Sequence, residues 1–229
     1  MTIKERAAEA ALKYVQDGMT LGLGSGSTSE CFIRALGAAI TAGRLKDLRC
    51  IPTSIPSQRL AEQLGIPLLA LTANRQIDLA VDGADEVDPQ LNLIKGLGGA
   101  LLREKITEQN ARRFIVIVDY TKLVPRLGSR GPVPVEILPF ASEAQMDYLR
   151  QMGGRPTPRL TSDGKPYITD NGNLIYDCYF GPIADPARLD ATLAARAGVI
   201  ETGLFIGMVE RVIVAHDDRI EELVSPCAV

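Results

Sequence analysis

"FIVIVDYTK", residues 114–122, sets five apolar residues in a row, four of them β-branched, closes them with an acid and passes into a turn. A run so short and so uniformly apolar reads as a strand buried on both faces, as in a parallel sheet. The segment before it, "GALLREKITEQNARR" (99–113), carries a helical pattern, and "QIDLAVDGAD" (76–85) is a second buried strand that ends in acids. Further out the alternation continues. "LRCIPTS" (48–54) and "PLLAL" (67–71) read as strands, with "SQRLAEQLG" (57–65) as the helix between them. Residues 5–16 and "SECFIRALGAAI" (29–40) have apolar positions at helical spacing on either side of a short strand that ends in "GLGSGST" (22–28). Strands alternating with helices predict an α/β fold with a Rossmann-like open, mostly parallel sheet covered by helices.

The texture changes after about residue 128. "GSRGPVPVEILPF" (128–140) is rich in Pro and Gly, "SEAQMDYLRQMGG" (142–154) is one helix, "YITDNGNLIYDCYF" (167–180) signals a hairpin around Asn171-Gly172, and "DPARLDATLAARAG" (185–198) starts a helix at Asp-Pro. This is a smaller α+β domain with an antiparallel sheet. "GLFIGMVERVIVA" (203–215) reads as strand returning to the first sheet, so the expected division is 1–128 with 204–229 for the large domain and 129–203 for the insertion.

The chain has 229 residues and a formal net charge of -3, which gives no general attraction to nucleic acid or to anionic membranes. No apolar run approaches a membrane span and "MTIKERAAEAALKYV" lacks the apolar core of a signal peptide, so a cytoplasmic location is expected. Cys31, Cys50, Cys178 and Cys227 are widely separated and read as reduced thiols. The single histidine, His216, is expected in a turn after "RVIVA". One histidine and no cysteine cluster exclude a multi-histidine or zinc site. Catalysis then falls to carboxylates, lysines and backbone amides.

Ligands of open parallel sheets bind beyond the carboxyl ends of the strands, and three motifs lie there. In "GLGSGST", glycines admit an anion to backbone N–H groups, and Ser27 and Thr28 open a helix whose N-terminus favours negative charge. That is a phosphate cradle, with a Gly-rich turn holding no ligand as the alternative. A dinucleotide fingerprint fails because Ser27 replaces its third glycine, and no GK[ST] follows. "DGADEVD" (82–88) places Asp82 and Asp85 on either side of Gly83-Ala84, free to face one pocket, with Glu86 and Asp88 expected in water; a solvated acidic loop or cation site fits these residues equally. "KGLGGALLREK" (95–105) sets Lys95 before a glycine turn and Glu104 in the first turns of a helix, as an acid/base pair or as a routine surface charge.

Taken together, "GLGSGST", "VDGADEVD", "KGLGGALLREK" and "DYTKLV" (119–124), with "PVEILPF", "GGRP" and "TDNGN" in the smaller domain, closely resemble the type A ribose-5-phosphate isomerase family over nearly the whole chain. The resemblance implies an enzyme that interconverts ribose 5-phosphate and ribulose 5-phosphate without metal or cofactor, usually as a homodimer or larger homo-oligomer. It implies substrate binding by Ser25, Gly26, Ser27 and Thr28, by Asp82, Gly83, Ala84 and Asp85, by Lys95, Gly96, Leu97 and Gly98, and by Lys122. Glu104 matches the proton-transferring base, with Asp82, Asp85 and Lys95 beside it in the chemistry, and Lys4 matches a phosphate-binding lysine. Leu97 departs from the family's common K-G-G-G run, where it is expected to narrow the turn. The rival classes are a noncatalytic sugar-phosphate sensor, for which no output element is evident, and a nucleotide-dependent oxidoreductase, for which the fingerprint is missing.

Overall fold

The computed structural model describes residues 1–73 and 76–225; Cys227 lies outside them. In chain order the elements are α1 (Ile3–Leu12), β1 (Thr20–Leu23), α2 (Ser27–Thr41), β2 (Arg49–Pro52), α3 (Ile55–Gln63), β3 (Leu79–Asp82), β4 (Glu86–Val87), β5 (Leu93–Ile94), α4 (Leu101–Gln109), β6 (Phe114–Asp119), a 3-10 turn (Tyr120–Lys122), β7 (Val133–Ile137), α5 (Ser142–Gln151), β8 (Arg155–Pro158), β9 (Leu174–Tyr179), α6 (Pro186–Ala194), β10 (Val199–Thr202), β11 (Leu204–Phe205), β12 (Arg211–Ala215) and β13 (Ile220–Val224). The chain divides into two compact units. One holds Met1–Ala84, Arg103–Lys122 and the chain from Met208 onward, and the other holds Asp85–Leu102 and Leu123–Gly207. Segment 85–102, which its texture alone leaves with the large domain, belongs to the second unit.

In the first unit a six-stranded sheet runs β13-β12-β6-β3-β1-β2, parallel throughout except for the antiparallel edge strand β13. β6 is apolar on both faces because both are covered: Phe114 to Val118 are all buried. Each such Ile, Val or Phe stabilises by about 1.5–3 kcal/mol relative to exposure. The core gathers Leu21, Leu23, Phe32, Leu36, Ile115 and Ile117. The helices begin where their side chains supply caps: Thr2 and Glu5 form a capping box for α1, and Ser54 and Ser57 one for α3. From β1 the chain passes to β2 on one side and then to β3 on the other, so the order reverses between β1 and β3. Their carboxyl ends carry residues 24–28 and 83–84, at the switch point where open sheets bind ligands. At the opposite edge, Glu222 of β13 accepts from Tyr14 Oη and Arg211 Nη1, each at 2.6 Å, and is paired with Lys13.

In the second unit an antiparallel sheet runs β10-β7-β9-β8, and a small one runs β11-β5-β4. Val133, Val135, Ile137, Leu149, Leu193 and Leu204 form its core. Asp185 caps α6 by accepting from the Arg188 amide at 2.9 Å, as the Asp-Pro start predicts. The expected turn at Asn171-Gly172 is present, flanked by the bridge between Ile168 and Leu174. It is anchored by the fully buried Glu136, whose Oε1 accepts from Thr169 Oγ1 at 2.9 Å and Asn173 Nδ2 at 2.8 Å.

Three expectations are corrected. "PLLAL" is no strand but a single bridge between Leu68 and Cys50, in which Cys50 donates to the Pro67 carbonyl at 2.9 Å and Leu69 to the Cys50 carbonyl at 2.8 Å; the next donor along β2 would be the N–H that Pro52 lacks. "GLFIGMVERVIVA" splits into β11 and β12, in different sheets, and only Arg211–Ala215 returns to the large one. Glu86 and Asp88 do not face water: both are buried. Glu86 accepts from the amides of Gly128, Arg130 and Gly131 at 2.7, 2.8 and 2.8 Å, and Asp88 Oδ1 from those of Gln90 and Asn92 at 2.9 and 2.8 Å. Among the described residues no helix is long and apolar enough to cross a membrane.

Candidate active site

The residues of interest in the first unit begin where β1 ends. Gly24 donates to the Val81 carbonyl at 3.0 Å, and at Gly26 (φ 89°) the backbone turns into α2. Among the described residues no side chain caps that helix. Its first-turn amides are donors of the kind an anion takes up, and the helix dipole favours the charge. Gly26 and Ser27 are exposed and Thr28 is half-buried. Lys4 Nζ donates to Ser27 Oγ at 2.8 Å, which puts the lysine at this loop.

Ser25 is engaged within the protein. Its hydroxyl lies 2.8 Å from Thr53 Oγ1 and 2.6 Å from Ser54 Oγ, and its amide donates to Asp82 Oδ1 at 3.0 Å. The same oxygen accepts from Ser29 Oγ at 2.6 Å and from the Gly83 amide at 2.7 Å, while Ser29 Oγ also accepts from Gly83 at 3.1 Å. Asp82 is buried, and Gly83 and Ala84 are half-buried. Thr53, Ser54 and Ser29 are absent from the sequence-based site. The hydroxyl run "PTSIPS" (52–57) at the carboxyl end of the strand beside β1 is the signal that could have found the first two.

Glu104, in the first turn of α4, is 4% exposed, which removes the surface-charge alternative. Lys105, Thr107 and Glu108 are buried with it, and the Thr107 methyl packs toward Gly22 of β1, where a β-carbon would come within 2.8 Å of it. Lys122 ends the 3-10 turn after β6 and is half-buried. His216 occupies the expected turn, its amide donating to the Arg219 carbonyl at 2.9 Å and its ring stacked on Tyr120. Cys50 is held protonated by burial, its thiol pushed up to about 12, and Cys31 and Cys178 are likewise free thiols.

In the second unit, the Asp85 amide donates to the Ile94 carbonyl at 2.8 Å, and Asp85 Oδ2 accepts from the Leu97 amide at 3.0 Å. Lys95 is 2% exposed and its Nζ lies 5.4 Å from the centre of the Phe205 ring, a cation over an aromatic face. Gly96 has φ 99°, a conformation only glycine adopts readily, and a β-carbon there would come within 2.9 Å of Leu101. Leu97 needs no such freedom: it is not among the residues with positive φ, and its side chain is 46% exposed. Leucine therefore replaces glycine here without backbone strain. Gly98 is open, with no atom of the described residues within 4 Å of where a β-carbon would sit. The carbonyls of Gly96 and Leu97 accept from Arg159, a residue the sequence reading missed. Among the described residues no group of three or more His, Cys, Asp or Glu is placed to hold a metal ion.

The family model for ribose 5-phosphate isomerase A (phosphoriboisomerase A) matches residues 49–219. The chain is similar to ribose-5-phosphate isomerase A of Roseiflexus castenholzii, with 49% identity over 225 residues covering 98% of this chain and 96% of that one. It is similar also to that of Deinococcus radiodurans, 45% identical over 222 residues covering 96% and 97%. Among solved structures, a D-ribose-5-phosphate isomerase in complex with phospho-erythronic acid superposes with a TM-score of 0.95 at 43% identity, covering 97% of both chains. Ribose 5-phosphate isomerase from Plasmodium falciparum gives 0.95 at 38% identity, covering 98% of both. With an uncapped helix start beside a lysine, buried carboxylates at the strand ends and this likeness over its whole length, the chain belongs to the ribose 5-phosphate isomerase A family.

Proposed function

We propose that the chain interconverts D-ribose 5-phosphate and D-ribulose 5-phosphate, with Glu104 as the base. The observation that carries the assignment of the base is its burial: a carboxylate 4% exposed in the first turn of α4, directly after the Lys95–Gly98 loop in sequence. The family supports the substrate. Moving the carbonyl from C1 to C2 of the open-chain sugar requires removal of the C2 proton, an enediolate with negative charge on oxygen, and delivery of a proton to C1. One carboxylate performs both carbon transfers. Lys95 stabilises the developing oxyanion, where exclusion of water strengthens the interaction. Asp82 and Asp85 bind sugar hydroxyls, assist ring opening and relay the proton between O2 and O1. The phosphate sits at the start of α2, held by the amides of Gly26 to Thr28, the hydroxyls of Ser27 and Thr28, and Lys4, with Lys122 as a further cation. Ser25 braces the loop through its bonds to Thr53, Ser54 and Asp82.

The enzyme acts in the cytoplasm as a homodimer or larger homo-oligomer, which light scattering of the purified protein tests. For the reaction itself, purified protein is given ribose 5-phosphate with a chelator present and no cofactor added, and ketose formation is followed by a coupled assay. Turnover is expected. Activity that chelation abolished and metal restored would sink the cofactor-free mechanism, and no ketose under either condition would sink the isomerase reading.

A further inference from the structure

Arg159, just after β8, grips the loop that follows Lys95. Its Nη1 donates to the carbonyl oxygens of Gly96 at 2.9 Å and Leu97 at 3.1 Å. Its Nε and Nη2 make a two-point bond to the Asp177 carboxylate of β9, at 2.9 and 2.5 Å. The pair is largely enclosed, with side chains 12% and 20% exposed, and the guanidinium lies 5.8 Å from the centre of the Tyr167 ring. Only a planar fork meets a carboxylate with one edge and two carbonyls with the remaining nitrogen; an ammonium cannot serve both.

The Gly96 carbonyl and the Leu97 amide are the two ends of one peptide group. Arg159 holds its oxygen, and its N–H is given to Asp85 Oδ2 at 3.0 Å. A continuous line of hydrogen bonds thus runs from Asp177 through Arg159 and this peptide to Asp85, and each bond polarises the next. The peptide needs holding, because Gly96 (φ 99°) precedes it and places little steric limit on its rotation. We propose that Arg159 is a positioning residue for the isomerisation: it fixes the Gly96–Leu97 peptide and through it the Asp85 carboxylate, with Asp177 holding the guanidinium in register. The inference rests on the reading of Asp85 and residues 95–98 as part of the substrate site.

The test compares Arg159→Met, Arg159→Lys and Arg159→Ala with Asp85→Asn. Loss of positioning without loss of the phosphate cradle predicts a kcat lowered about 10- to 100-fold in Arg159→Met and Arg159→Lys. The inhibition constant of inorganic phosphate should stay within about twofold, a change of under about half a kcal/mol. Added guanidinium ion, at concentrations that leave the wild-type rate unchanged, should raise the activity of Arg159→Ala severalfold and that of Asp85→Asn not at all. A kcat for Arg159→Lys within about threefold of wild type overturns the proposal, as it leaves too little for a misplaced catalytic group. So does a loss that guanidinium leaves untouched in a folded Arg159→Ala. If Arg159→Met does not fold, Arg159→Lys, which keeps the charge and the stem, decides. Should Asp85→Asn itself retain the wild-type rate, the reading of Asp85 is what fails; a crippled Asp85→Asn beside active Arg159 variants sinks the positioning role alone.

Discussion

The Asp82 carboxylate lies so close to Gly24 that a β-carbon on Gly24 would stand 2.0 Å from Asp82 Oδ1. The backbone of the loop after β1 and an acid at the end of the neighbouring strand are therefore in direct register, with the Ser25 amide closing the contact at 3.0 Å. Gly24→Ala should displace Asp82 and the loop together, lowering kcat/KM by about 100-fold, the scale of a misplacement near 1 Å. Steady-state kinetics and a circular dichroism spectrum identical to wild type would establish it. A fully active Gly24→Ala would show that Asp82 can leave this position at no cost to the reaction.

Glu104→Gln keeps the length and hydrogen-bonding reach of the side chain but cannot accept a proton from carbon. A positioned base contributes roughly 10^2- to 10^4-fold, and because one group serves both transfers the loss is expected at the top of that range. Exchange of the substrate's C2 hydrogen with deuterated solvent should stop, while sugar phosphate still binds. If more than about a tenth of the activity survived, far above what losing a base allows, the role would pass to Asp82.

Thr28→Val removes a hydroxyl at the start of α2 and leaves Glu104 and the acids in place. KM for ribose 5-phosphate should rise about 10-fold, the worth of one hydrogen bond to a charged group, with kcat little changed. Free ribose supplies the control: equal losses for phosphorylated and unphosphorylated sugar would mean that this loop does not hold the phosphate.

At the sheet edge, the hydrogen bond from Lys13, joined by that from Tyr14, holds the Glu222 carboxyl down to about 2, against 4.5 ordinarily. A carboxylate depressed in the folded state stabilises it above its unfolded value and gives that up as the pH falls toward the folded one. The melting temperature of Glu222→Gln should therefore lie below wild type at neutral pH, and the gap should close between about pH 4.5 and 2. Lys13 is more than half exposed, which screens its share and keeps the gap to a few degrees. A gap that widened on acidification would contradict the assignment.

The fold was legible wherever burial on both faces leaves a continuous apolar run, as in β6, and wherever a cap announces a helix, as at Asp185-Pro186. "PLLAL" misled because its composition is that of a strand, while pairing depends also on the neighbouring strand, where Pro52 lacks the next N–H. Glu86 and Asp88 misled for a related reason: their partners are backbone amides, which leave no mark in sequence. Among the expected site residues, the order of three glycine-bearing motifs pointed to Glu104 and Lys95. Thr53 and Ser54 left only a run of hydroxyls, and Ser29 and Arg159 left no mark at all. Each acts on a segment distant in sequence, and only the strand order and the folded loops bring them there.

The placement of β12 beside β6, with Val212 opposite Val116 and Ile213 opposite Ile117, bears on how the chain leaves the ribosome. Residues 211–215 are translated only after all of Leu123–Gly207 has been made. Until then a flank of β6 has no neighbour, and the most apolar strand of the sheet offers an open row of N–H and C=O groups, the template on which nascent chains aggregate. Synthesis halted between Gly207 and Arg211 would leave the second unit's sequence whole and the first unit's sheet open along β6.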